Sequence, residues 1–106
     1  MSVEIEVKGE IMTAHLSGEI DHHTAVDMRQ SIDNAAELNM PMLLVLDFAG
    51  VNFMDSSGIG LVMGRYKNLA KRGAKLHIRG LAPQIYKVMR LSGIERLATL
   101  EYNEKE

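Results

Sequence analysis

The chain has 106 residues, no cysteine and a net charge of −2. This length suits one domain, expected to span residues 1–106, and the absence of cysteine excludes disulfides, thiol catalysis and thiolate metal sites. A nucleic-acid-binding domain would need a basic excess, and no apolar run approaches the roughly 20 residues of a membrane span. The N-terminus does not resemble a signal peptide, so we expect a cytoplasmic protein that contacts neither membrane nor nucleic acid directly.

The first segments predict a β-hairpin. Apolar residues alternate with charged ones before the Gly9–Glu10 turn, at Val3, Ile5 and Val7. A second alternating set follows the turn, at Met12, Ala14 and Leu16. Such alternation indicates two strands, each with one buried face. The stretch "GEIDHHT" then breaks the pattern.

A helix is predicted next, because apolar residues recur at helical spacing. They are Ala25, Met28, Ile32, Ala35 and Leu38. Either Asp21 or Thr24 caps this helix, and the sequence leaves that choice open.

The middle of the chain predicts a buried strand followed by a second helix. "MLLVLDF" is a continuous apolar run that suits a strand covered on both faces. The core-facing residues predicted for the following helix are Ile59, Val62, Met63, Tyr66, Leu69 and Ala70. Gly73 ends that helix, and the basic residues from Arg65 to Lys75 are expected on its solvated face.

The last third predicts a strand, a helix and a final strand. Leu76 and Ile78 alternate with polar residues, Pro83 begins a helix that ends at Gly93, and "IERLATLEY" forms a turn and strand before a frayed tail, "NEKE". The order β-β-α-β-α-β-α-β predicts an α/β fold. It consists of a small mixed sheet, a hairpin plus parallel strands, with packed helices.

Two acid-containing loops follow parallel strands and must therefore emerge at the same edge of the sheet. We expect Asp21 from one loop to lie near Asp55, Ser56 and Ser57 from the other. Capping of the second helix requires one polar side chain, so capping alone leaves two of these last three residues unexplained.

Enzymatic chemistry fits this stretch poorly. Neither Ser56 nor Ser57 lies in a G-x-S-x-G elbow, although His22–His23 could supply a base from the neighbouring loop. "GIGLVMG" does not match a dinucleotide fingerprint, and we expect Gly60 and Gly64 to let their helix approach the sheet closely. We predict no catalytic residue and no cofactor.

Metal binding is not predicted either, because two adjacent histidines on a helix point about 100° apart. Most of the eight methionines fall on core stripes. Three of them, Met40, Met42 and Met54, could instead enrich a partner-binding surface.

The remaining explanation of the serines is modification by another protein. A phosphate on Ser56 would add about −1.5 to −2 charges and three acceptor oxygens at a helix N-terminus. Such a change can switch an interface without unfolding the domain.

Three stretches, "GEIDHHTA", "LDFAGVNFMDSSGIGLVMGRYK" and "LSGIERL", resemble the STAS domain of bacterial anti-sigma factor antagonists. The resemblance implies that Ser56 is the phosphoacceptor. It also implies a partner-binding edge formed by Asp21, Asp55, Ser57, Gly58 and Ile59.

The resemblance implies a partner-switching function as well. The unphosphorylated protein would bind an anti-sigma factor that is also a serine kinase and so free the sigma factor. Phosphorylation would end binding, and a PP2C-type phosphatase would reverse it. Two alternatives stay open: a STAS subunit of a lipid-transport or stress-sensing assembly, and a small enzyme or nucleotide binder.

Overall fold

The computed structural model describes residues 2–103, so the predicted frayed tail lies, except for Asn103, outside the described residues. The helices and strands are β1 Val3–Lys8, β2 Ile11–Ile20, α1 His22–Asn39, β3 Leu43–Met54, α2 Ser56–Ala70, β4 Lys75–Leu81, α3 Pro83–Leu91 and β5 Thr99–Tyr102. A short 3-10 helix, Ile94–Arg96, precedes β5. The predicted order of elements is confirmed.

The five strands form one sheet in the order β1-β2-β3-β4-β5. β1 pairs antiparallel with β2, and β2, β3 and β4 are parallel neighbours, as predicted. β5 pairs parallel with β4. Because the strands step across the sheet in one direction and such crossovers are right-handed, all three helices lie on the same face.

The hydrophobic core lies between that face and the helices. The sheet contributes buried residues from alternate positions of its central strands: Met12, Ala14, Leu16, Leu44, Leu46, Phe48, Leu76 and Ile78. The helices contribute residues such as Met28, Ile32, Leu61 and Met89. Each fully buried large side chain stabilises the fold by roughly 1.5–3 kcal/mol.

Among residues 2–103 no helix packs on the other face of the sheet, so β3 does not lie between two layers as expected. Val45 on this face is buried, yet it lies outside the core cluster, between Thr13 of β2 and His77 of β4. We call this side of the sheet the open face.

Several predicted core positions are exposed. Leu38 is 85% exposed and Ala70 is also exposed. Both lie in the last turn of a helix, and in α2 the buried residue of that turn is Leu69. Ile5 and Val7 point to the core face but are only partly covered, because β1 is the edge strand of the sheet.

The end of α2 follows the glycine prediction. Gly73 adopts a φ of +73°, a conformation that disfavours residues with a side chain. Its N–H donates to Ala70, and the N–H of Ala74 donates to Leu69, which is the Schellman arrangement. The chain is thereby turned from α2 directly into β4.

Candidate functional site: the switch edge

β2 and β3 end side by side, and this brings the two acid-containing connections together. Ile20 pairs with Met54, and the N–H of Asp55 donates to the carbonyl of Ile20 at 3.1 Å. β2 runs to Ile20, so the predicted break at "GEI" was wrong. The register shifts between Gly18 and Glu19, where β3 carries one extra residue, Asn52, and Gly18 opposite it adopts a φ of +84°. We call Asp21, Asp55, Ser56 and Ser57 the switch edge.

Asp21 caps α1 and so resolves the choice left open by the sequence. Its Oδ1 accepts from the N–H groups of His23 and Thr24, both at 2.9 Å. The Oγ1 of Thr24 accepts from the N–H of Asp21, which completes a capping box. The hydrogen bond from the Thr24 backbone contributes most to lowering the pKa of Asp21, so this carboxylate is charged at neutral pH.

Asp55 caps α2 in the same way. Its Oδ1 accepts from the N–H of Ser57 at 2.8 Å, and its carbonyl accepts from the N–H of Gly58. One residue of the Asp55-Ser56-Ser57 stretch therefore performs the capping, and both serine hydroxyls are left for another role.

The two serines differ in their surroundings. Ser56 is the first residue of α2 and is exposed, and its hydroxyl has no hydrogen-bond partner among residues 2–103. Ser57 is half-buried and faces a groove between α1 and α2. Ser56 thus offers the more accessible oxygen.

The remaining predicted edge residues lie deeper in the structure. Gly58 is buried, and a side chain there would collide with Cγ and Sδ of Met54. Ile59 is half-buried and packs against the core. Gly58 therefore allows the start of α2 to sit on Met54, at the end of β3.

The expected reason for Gly60 and Gly64 was wrong. An added Cβ would meet no atom within 4 Å at either position, so neither glycine is needed for close approach to the sheet. Both lie in α2 and border the groove that Ser57 faces.

Sequence reasoning also misplaced Arg65, which was expected on a solvated helix face. The side chain is only 6% exposed, and its Nε lies 2.8 Å from Asp33 of α1. Burial lowers the pKa of Arg65, and the nearby charge of Arg29 lowers it further, whereas Asp33 raises it. Asp33 lies beside the apolar stripe of α1 and not on it. An acidic residue in that position was the only indication in the sequence that a basic residue of α2 could be paired there.

The open face carries a row of ionisable side chains across four strands, which we call the charge ladder: Glu6, His15, Asp47 and Arg79. His15 lies 3.0 Å from Glu6 and 2.7 Å from Asp47, and Arg79 lies 3.6 Å from Asp47. The hydrogen bonds with Glu6 and then with Asp47 raise the pKa of His15. Burial raises the pKa of Asp47, but the Ala49 N–H, His15 and Arg79 outweigh it, so the net shift is downward.

The described part of the chain contains neither a metal-binding cluster nor a membrane-spanning helix. Within residues 2–103, no group of three or more His, Asp or Glu side chains is arranged to hold a metal ion. In the same range, no helix is long and apolar enough to cross a membrane.

Residues 2–106 match the family model described as "STAS domain", so the chain belongs to the STAS family. Within that family, the chain is similar to anti-sigma factor antagonists. It is 31% identical to an "Anti-sigma F factor antagonist" of Paenibacillus polymyxa, over 98% of this chain and 89% of that protein. It is 28% identical to an "Anti-sigma-B factor antagonist" of Listeria monocytogenes, over 100% of this chain and 95% of that one.

Solved structures extend the similarity to the fold. The anti-sigma factor antagonist SpoIIAA in its unphosphorylated form aligns with a TM-score of 0.81 at 30% identity, covering 97% of this chain and 90% of that one. SpoIIAA of Bacillus in its phosphorylated form aligns with a TM-score of 0.75 at 30% identity, covering 97% and 93%. The mixed five-stranded sheet with three helices is thus the STAS fold.

Proposed function

We propose that this protein is an anti-sigma factor antagonist controlled by phosphorylation of Ser56. The observation that carries the proposal is the exposed, unpartnered hydroxyl of Ser56 at the start of a helix already capped by Asp55. The relatives named as antagonists, and the existence of SpoIIAA in two phosphorylation states, support the same function.

Phosphorylation would change the charge of the edge more than its shape. A phosphoserine carries about −1.5 to −2 charges at neutral pH, and it would join the carboxylates of Asp21 and Asp55. The N-terminus of α2 favours a negative group at Ser56, and the Asp55 cap would stay in place. We therefore expect the fold to survive while a partner docked on this edge is repelled.

The partner that we propose is an anti-sigma factor with serine kinase activity. The Oγ of Ser56 would take the γ-phosphoryl group of ATP, a base of the kinase would take the hydroxyl proton, and ADP would leave. A PP2C-type phosphatase would then use water to return serine and inorganic phosphate. In this scheme the chain acts in the cytoplasm as a binding protein and substrate, and contributes no catalytic residue, metal or cofactor.

Reconstitution with the purified cognate anti-sigma factor and Mg-ATP tests this function. The complex is followed by size-exclusion chromatography, and the phosphosite by mass spectrometry. We expect the wild-type protein to bind, to gain one phosphate on Ser56 and to be released. Ser56→Ala should bind and stay bound in the presence of ATP.

Ser57→Ala is the matched control, because it removes the neighbouring hydroxyl and leaves the Asp55 cap, which uses the backbone of residue 57. Because Ser57 itself borders the docking surface, its affinity is measured first; the fraction of Ser57→Ala that binds should gain phosphate on Ser56 and be released. Release of Ser56→Ala by ATP, or loss of all phosphate in Ser57→Ala, would contradict the assignment of Ser56.

A further inference from the structure

Gly60 and Gly64 are not explained by the folding of α2. Glycine inside a helix is unfavourable relative to alanine. Neither residue has a positive φ, and a Cβ at either position would meet no atom within 4 Å. Local conformation and packing would therefore both accept alanine, and what the glycines leave instead is open space.

That space is a groove of about 340 Å³ between α1 and α2. We call it the glycine groove. Its lining includes Val26, Arg29, Ser57, Gly60, Gly64 and Arg65. Because Ser57 belongs to the switch edge, the groove is continuous with the surface that would dock the partner.

The charged side chains lining the groove are basic. Arg29, Arg65 and His22 line it, and among the described residues that line it there is no carboxylate. Asp33 neutralises Arg65 from α1, whereas Arg29 forms no ion pair within residues 2–103 and repels Arg65. Arg29, which is exposed to solvent, therefore offers a positive charge without an ion-pair partner in the described part of the chain, beside the buried guanidinium of Arg65.

We propose that the glycine groove receives an acidic segment of the anti-sigma factor, with a carboxylate placed beside Arg29. This inference rests on the proposed function and specifies the chemistry of the partner at the same site. Charge complementarity favours an acidic occupant, and the missing side chains at Gly60 and Gly64 leave room for it to lie against α2.

The groove also links phosphorylation to release. Ser56 precedes Ser57 at the groove's end, where Asp21 and Asp55 already carry carboxylates, so a phosphate adds about −1.5 to −2 charges there and opposes the attraction between Arg29 and the acidic segment. Like charges at an interface are strongly unfavourable, and the same segment that Arg29 attracts would be repelled by the phosphate.

Charge reversal at Arg29 tests the inference, with affinity for the purified cognate anti-sigma factor measured by calorimetry. Arg29→Glu should weaken binding by about ten-fold or more, as expected when an attractive charge becomes a repulsive one. Lys67→Glu is the control, because it makes the same change of net charge at an exposed position of α2 outside the groove. It should leave affinity within about two-fold, the effect expected of a charge away from the interface.

Filling the groove gives a second, independent readout. Gly64→Leu should keep or raise the thermal midpoint, because leucine is the better helix former, while weakening binding. Gly64→Ala should fold equally well, and its loss of affinity for the anti-sigma factor should be smaller than that of Gly64→Leu.

Two results would overturn the inference alone: wild-type affinity in both Arg29→Glu and Gly64→Leu, or equal weakening by Arg29→Glu and Lys67→Glu. Failure of the wild-type protein itself to bind the anti-sigma factor would instead overturn the proposed function, and the groove's occupant with it. The wild-type measurement distinguishes the two failures.

Discussion

The switch edge and the charge ladder both expose carboxylates on the same sheet, but the carboxylates differ in whether a basic side chain pairs with them. In the ladder, Asp47 lies within 4 Å of both His15 and Arg79. At the switch edge, Asp21 and Asp55 accept only from backbone N–H groups and the side chain of Thr24, and within residues 2–103 neither forms an ion pair. Charges that are mutually compensated serve the fold. In the proposed function, charges that are left uncompensated beside a free hydroxyl are available to a partner.

The largest expected effect is on partner binding at the switch edge, and it comes from a substitution that mimics the phosphate. Ser56→Asp adds a charge beside Asp55 and should weaken anti-sigma factor binding by about 10- to 100-fold, or about 1.4–2.7 kcal/mol. Since the Asp55 cap remains, the free energy of unfolding should change by less than about 1 kcal/mol. Calorimetry and urea unfolding measure the two quantities, and wild-type affinity in Ser56→Asp would contradict the switch.

Removing a carboxylate of the charge ladder should lower stability and leave partner binding unchanged. Asp47→Ala removes the acceptor of the Ala49 N–H, the hydrogen-bond partner of the His15 imidazole and the ion-pair partner of Arg79, which should cost about 1–2 kcal/mol of unfolding free energy. Affinity for the anti-sigma factor should stay unchanged, because the ladder lies on the open face. A stable variant that fails to bind would place the ladder in the interface.

Asp55 should combine both effects, since it caps α2 and lies in the switch edge. Asp55→Ala should lower the free energy of unfolding by about 1 kcal/mol, the usual value of an N-cap. Asp55→Asn keeps the capping oxygen and removes the charge, so it separates the two roles. If Asp55→Asn restores stability but not binding, the carboxylate charge itself contacts the partner; if it restores both, Asp55 only positions α2.

The smallest effect should come from the titration of His15. Its pKa is raised in the folded protein, so its stabilisation is present below the unfolded value near 6.5 and is lost as pH rises through the folded value. The imidazole is about one-third exposed, and screening limits the change to about 0.5 kcal/mol. Unfolding curves above pH 6 should show this decline in the wild type and not in His15→Gln; equal slopes would exclude His15 as its source.

Local sequence pattern was sufficient for the order of elements and the sheet topology, because hydrophobic period and glycine position are short-range signals. It failed where burial depends on what another element covers. The apolar stripe of α1 included Leu38, which the structure leaves exposed, and the basic run of α2 included Arg65, which Asp33 of α1 holds in the interior.

The candidate site was predictable to a similar extent. The meeting of the Asp21 and Asp55 connections followed from the parallel topology alone. The sequence did not show which of these residues caps α2. Only the hydrogen-bond geometry shows that Asp55 is the cap and that, within residues 2–103, the hydroxyl of Ser56 is free. The open space beside Gly60 and Gly64 required coordinates for α1, because spacing within one helix does not show where its neighbour lies.

Phosphosite mapping by mass spectrometry, on the protein recovered from its own cells together with its bound partners, tests the central claim most directly. We predict phosphate on Ser56, and an anti-sigma factor with a kinase domain recovered with the unphosphorylated fraction. Absence of phosphate from Ser56 in every growth condition, or equal recovery of the anti-sigma factor with both fractions, would contradict the claim that this serine switches the interface.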